Sequence, residues 1–304
     1  MAIQSPSIDM PAAASVRATP VAVSRGYWVT VGRRLRRDPV TLACLGILVL
    51  IVLAALFAPW LGLADPYKTS MIRRLQPIGS PNHLLGTDEL GRDMFSRLIY
   101  GGRLSLFMGV TPVACALLIG GFLGIAAGFL GGRVNMLIMR VMDVFYAFPS
   151  VLLAISLSGA MGAGAENTLL ALTLVFIPPI CRVSESVTTQ VRGFDFVDAA
   201  QASGARTLTI VRVHVLGNVL GPILVYATSL ISVAIILAAG LSFLGLGVKP
   251  PEPEWGLMLN TLRQAIYVNP VLAALPGVMI FITSICFNLM SDGFRSAMDV
   301  RLNK

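Results

Sequence analysis

Six apolar runs, at residues 40–57, 104–129, 141–157, 168–180, 219–243 and 271–289, constrain this chain more than any other feature. A hydrocarbon core about 30 Å thick takes ~20 apolar residues per helical crossing. Inside it every backbone N–H and C=O must find a partner within the protein, so only helices or a closed barrel can cross. Runs of this length read as helices, and the expected fold is all-α: a polytopic membrane protein with six transmembrane helices. The fourth run is short and carries Pro178 and Pro179, where a helix bends or finishes if its neighbours satisfy the freed carbonyls. Composition agrees, with 56% hydrophobic and 12% charged residues among 304 and a mean hydropathy of +0.80.

Basic residues near the span ends set the orientation. Arg33, Arg34, Arg36 and Arg37 precede the first span, and six crossings return Arg295, Arg301 and Lys304 to the same side. Both termini are therefore expected in the cytoplasm, together with Arg133, Arg140, Arg182, Arg192, Arg206 and Arg212. The segment 58–103 then lies outside, although it carries six Lys and Arg partly offset by Asp65, Asp88, Glu89 and Asp93. The organisation reads as a tail at 1–38, a first span with an outer interfacial segment at 39–103, a core at 104–290 and a second tail at 291–304.

Local chemistry fills in this frame. Trp28, Val31 and Leu35 share a helical face opposite the arginines, which suggests a short surface helix or a plain basic anchor. Asp38 is placed to cap the first span, with Pro39 at its first position. Thr87 is read as capping a turn, and Met94, Phe95, Leu98 and Ile99 as the apolar flank of an interfacial helix before the second span. Glycines 109, 120, 121, 124 and 128 permit close helix approach. Arg140 and Asp143, three apart, are expected to pair. Pro149 marks a kink in the third span.

Several functions are excluded or weakened. The chain has no G-x-x-x-x-G-K-[ST] phosphate loop, so energy for uphill transport must come from elsewhere. Cys44, Cys115, Cys181 and Cys286 form no C-x-x-C pair and read as buried fillers. His83 and His214 fall on opposite sides of the membrane, and the charge of +8 is explained by membrane topology, so neither a metal site nor nucleic-acid binding is expected. The spans lack the titratable group that a proton-coupled carrier uses. Ser229, Ser232, Thr283 and Asn288, with Thr228 and Ser284, are the polar groups available to line a path, unless they bond to their own helical carbonyls.

The segment FVDAAQASGARTLTIVRVHVLGN, residues 196–218, is a polar inlet between two apolar runs. It reads as two short helices, 196–203 and 207–216, with Gly204 in a left-handed turn between them. Ala199 and Ala200 keep the first helix narrow, and Asp198 sits near its N-terminus. Leu208, Val211 and Val215 make an apolar face on the second. A helical knob for a protein partner and an amphipathic loop on the bilayer both fit this pattern.

DAAQASG followed nine residues later by HVLGN resembles the EAA loop of ATP-binding-cassette importer permeases. Asp198, Ala199, Ala200, Gly204 and Leu216 match its pattern, whereas His214 stands for Ile and Gly217 for Pro. HLLGTDELGRDMFSRLIYGGRLSL, MRVMDVFYAFPSVLLAI, LSFLGLGVKPPEPEWGLML and LMSDGFRSAMDVRL are similar to the C-type subunit of the dipeptide and oligopeptide branch, which also includes nickel carriers. The resemblance implies the type I importer permease fold, with a coupling loop at 194–218, in a bacterial inner membrane. It implies a non-catalytic subunit paired with a B-type permease. Two cytoplasmic ATPases would use ATP with Mg2+ and grip the EAA loops, and an external binding protein would deliver peptide. The competing expectation is a secondary transporter or channel for small solutes; a third is a scaffold that recruits cytoplasmic proteins.

Overall fold

The computed structural model describes residues 32–298, and within them the chain is helical, with no strand. The proposed face of Trp28 and Val31 and the final residues 299–304 lie outside the described residues. Among the described residues five helices are long and apolar enough to cross a membrane, and a helix pair bent by 84° makes a sixth when it is counted as one broken span. α1 is Pro39–Phe57, α2 Met94–Leu130, α3 Gly132–Tyr146, α4 Ser150–Met161 and α5 Ala165–Arg192. Then come α6 (Asp195–Ala202), α7 (Thr207–Ile210), a π-helical turn (Val211–Val215), α8 (Leu216–Phe243), α9 (Trp255–Thr261) and α10 (Pro270–Met298).

Each long helix begins or ends where the sequence supplies a reason. Asp38 accepts from the Val40 amide at 3.2 Å, with Pro39 at the first position of α1. α1 buries Thr41, Cys44, Leu48, Ile51 and Ala55, a single stripe at helical spacing, and turns its remaining leucines outward as a lipid-facing helix does. α2 is capped by Asp93, which accepts from the Ser96 amide and hydroxyl at 2.8 Å, and it stops at Gly131 with φ +66°. The expected interfacial helix and second span are thus one helix of 37 residues, roughly 55 Å long. The Thr87 hydroxyl accepts from the Gln76 amide and donates to the Arg73 carbonyl, so it ties two loop segments together.

α2 and α5 form the closest helix pair. At Gly120, Gly124 and Gly128 a side chain would run into the backbone of Ile177, Cys181 and Glu185 on α5. Packing of this kind drives association in lipid, where apolar side chains gain little by leaving the solvent. α5 also passes through Pro178 and Pro179 without ending, giving 28 residues where the sequence showed a short apolar run. The third crossing departs further from its expected kink, because the chain breaks at residues 147–149 into α3 and α4.

At the end of the bundle where α2 begins, residues 58–93 and 244–269 make a cap. Arg97, 2% exposed, donates to the Pro66 carbonyl at 3.0 Å and sits 3.3 Å from Asp88. Asp88 also takes Arg92 at 2.6 Å, and Arg92 reaches Glu89 at 2.8 Å. Glu254 caps α9 by accepting from the amides of Gly256 and Leu257 and from the Ser105 hydroxyl. Burial holds its carboxyl above the usual carboxylate range, against those donors. The Trp255 indole donates to the Leu98 carbonyl at 2.9 Å, which fixes the cap to α2. His83 pairs with Asp93 here, at 2.9 Å.

Candidate functional site

The polar inlet forms the opposite end of the bundle, where α2 and α5 finish. Phe129, Val191, Val197, Ile210, Val215 and Val219 pack beneath it as one buried cluster. α5 closes at Gly193, and α6 follows with Asp195 and Asp198 in its first turn and no side-chain cap. Gly204 ends that helix with φ +78°, the left-handed conformation that glycine adopts without strain. The Ser203 hydroxyl donates to the Ala199 carbonyl at 2.8 Å, and the Ala205 amide to that of Ala200 at 3.2 Å, so the turn is internally bonded.

The second half of the inlet differs from its expected form. Instead of a separate helix, residues 207–216 run straight into the next span, and Thr207–Phe243 counts as one crossing helix of 37 residues. A π turn, one residue wider than an α turn, lies within it. Gly217 has open space around it and leaves the helix unbroken where proline would remove an amide. The buried face belongs to Ile210 and Val215, with Val211 half-buried, whereas Leu208 points outward at 78% exposure. Asp198 and Ala199 are exposed, and Ala200 and Leu216 half-buried. Phe194, Phe196 and Val213 complete an exposed apolar surface, with the Phe196 ring 6.3 Å from that of His214.

The four candidate path residues do not meet at one point. Ser229 donates to the Tyr226 carbonyl at 2.7 Å, Ser232 to that of Ser229 at 2.8 Å and Thr283 to that of Met279 at 2.8 Å. Ser232 and Thr283 are buried, while Asn288 is exposed on α10. Their hydroxyls thus serve their own helices. A cleft of about 510 Å³ opens elsewhere, at the break between α3 and α4, against Pro178 and Pro179 of α5 and Leu230 and Val233 of α8.

Beside that cleft the structure pairs Asp143 with Arg182, at 2.5 Å, rather than with Arg140. The Arg182 guanidinium also lies 4.7 Å from the centre of the Tyr146 ring. Spacing along one helix favoured Arg140, whereas the partner comes from α5. The available signal was Arg182 itself, a cation one turn beyond Pro178 with a single acid on the preceding span.

Comparison with known proteins covers most of the chain. The family described as binding-protein-dependent transport system inner membrane component matches residues 120–304. The N-terminal transmembrane domain of oligopeptide transport permease C matches residues 26–77. A di/tripeptide transport system permease protein of Pseudomonas aeruginosa is 44% identical over 260 residues, 84% of this chain and 86% of that one. A glutathione transport system permease protein of Pectobacterium atrosepticum is 39% identical over 91% of this chain and 92% of its own. The solved inward-facing MetNI methionine ABC transporter superposes with a TM-score of 0.56 at 18% identity, over 67% of this chain and 97% of that one, a likeness of fold.

Proposed function

Because the chain belongs to the family of binding-protein-dependent transport system inner membrane components, we propose that it is one permease subunit of an ATP-driven importer of dipeptides or oligopeptides. The observation that carries this reading is the inlet. It is an ordered helical knob with exposed Asp198, Ala199 and Leu208, seated on the ends of two spans in a chain with no phosphate loop. In this reading the inlet end is cytoplasmic, both termini lie there, and the membrane is the bacterial inner membrane. A second, B-type permease completes the path, two ATPases holding ATP and Mg2+ take the paired knobs, and an external binding protein delivers the peptide at the cap.

ATP-driven approach of the two ATPases would carry the knobs with them, and Thr207–Phe243 would pass that displacement into the bundle. Asp198, Ala199, Ala200, Gly204 and Leu216 are the contact and turn residues of this step. Ser229, Ser232, Thr283 and Asn288 are the polar groups proposed for the path, and of these Ser229 and Asn288 are the less buried. Reconstitution with the neighbouring subunits tests the proposal. Uptake should require both ATP and the binding protein, whereas ATP-independent flux would make the chain a channel or secondary carrier. A binding protein that takes nickel chelates and no peptide would leave the transporter class standing and remove the peptide.

A further inference from the structure

We infer that the cleft at the α3–α4 break is this subunit's wall of the translocation path, and that Arg182 and Asp143 at its edge take the charged ends of a zwitterionic peptide. This rests on the importer reading above and adds the place and chemistry of substrate contact.

Three independent features converge on the cleft. The first is backbone. The break falls within the apolar stretch 141–157, and α4 starts with no side-chain cap. Across the cleft, Pro178 and Pro179 have no N–H to offer the carbonyls of Leu174 and Val175 four residues earlier. At membrane depth, broken backbone persists only where protein covers it or where it borders water. Residues 147–150 are exposed, so among the described residues nothing covers the break.

The second feature is charge. Asp143 precedes Tyr146 by one helical turn and Arg182 follows Pro178 by one, so the ion pair flanks residues that line the cleft. Its side chains are 51% and 47% exposed, which places them on a water-filled surface, because ionised groups are strongly disfavoured against lipid. An exposed pair is weak and exchanges partners readily. The Arg182 fork suits a carboxylate, Asp143 suits an ammonium group, and the Tyr146 ring holds the guanidinium in place.

Size is the third. A volume of about 510 Å³ lies within the range of small-ligand sites and admits a short peptide. The aromatic wall of Phe145, Tyr146 and Phe148 gives side chains an apolar surface without a charge that would select among them.

The test uses the intact four-protein transporter in vesicles, with Phe148→Cys or, as a lipid-facing reference, Leu50→Cys on α1. A charged, membrane-impermeant methanethiosulfonate is applied to both sides, and modification at each position is read by peptide mass spectrometry. Phe148→Cys should react about tenfold faster or more than Leu50→Cys. Loaded binding protein with ATP should slow that reaction, and Arg182→Gln or Asp143→Asn should abolish the slowing. Equal rates at the two positions would overturn the inference, as would shielding of residue 148 by the second permease in every nucleotide state. Fast labelling that no peptide slows would overturn the peptide contact. Labelling is read without transport, so absence of ATP-dependent uptake in the unmodified complex would instead count against the importer reading.

Discussion

The two ends of this bundle are built on opposite plans. In the cap, Arg97, Asp88, Arg92 and Glu254 are nearly inaccessible; Arg92 and Asp88 are bonded to each other, and Arg97 and Glu254 are tied to Pro66 and Ser105 in distant parts of the chain. At the inlet, Asp198 is exposed, and Phe194, Phe196, Leu208 and Val213 present apolar surface to solvent. A buried charge left unpaired is costly, and the cap supplies Arg97 and Arg92 with acidic partners from its own chain, while Arg97 Nε, Glu89 Oε2 and His83 Nε2 find no hydrogen-bond partner among the described residues. The inlet buries its underside alone, and its exposed apolar face is the mark of an interaction surface.

Arg97→Ala should break the contrast most severely. It strips the donor from the Pro66 carbonyl and one partner from Asp88, a loss of about 3–5 kcal/mol. The thermal midpoint of the purified complex should drop sharply; an unchanged midpoint would mean that the cap is not a stability element. Gly204→Val should do the reverse, with a conformational strain of about 1–2 kcal/mol confined to the turn, since no neighbour lies within 4 Å of the added carbon. Substrate-stimulated ATP hydrolysis and uptake should fall steeply while the cap's melting is retained. Full coupling in this variant would dissociate the turn from transmission.

A smaller effect sharpens the comparison by pH. Burial raises the carboxyls of Glu254 and Glu89 above their unfolded values, so the fold favours their protonated forms. Their contribution to stability is full below the unfolded carboxylate pKa of about 4.3 and declines as pH rises through the folded one. The melting temperature should therefore carry a descending component with pH, and Glu254→Gln should flatten it. A steeper slope in Glu254→Gln would reverse the assignment. Asp198→Ala should change least: its carboxylate makes no bond to another described residue, and an exposed charge contact with a partner contributes about 0.2–1 kcal/mol. A modest drop in ATPase affinity at constant melting temperature is the expected result.

What could be read from the sequence was whatever neighbours in sequence decide. The Asp38 cap of α1, the left-handed Gly204 and the bend at Pro149, which the structure deepens into a break, all depend on residues within a turn of one another. The misassigned or missed partners come from across the fold. Asp143 meets Arg182, 39 positions away, rather than Arg140, and the bond that the Ser105 hydroxyl donates to Glu254 across 149 positions is not foreseen at all. Helical spacing offers near neighbours and gives no view of the facing helix. A regular α period puts Leu208, Val211 and Val215 on one apolar face, but the π turn over Val211–Val215 interrupts that period, and Val215 is buried while Leu208 is exposed.

The unbroken run from Thr207 to Phe243 gives the inlet a mechanical advantage. At 1.5 Å per residue it is a rod of roughly 55 Å, and a tilt of about 5° about one end sweeps the other through roughly 5 Å. Along its length Ile235 packs against Gly109 of α2, a contact with no room for another methyl group. A side chain at Gly109 would push the rod away from α2, so how closely the two can approach is set by one missing methyl group.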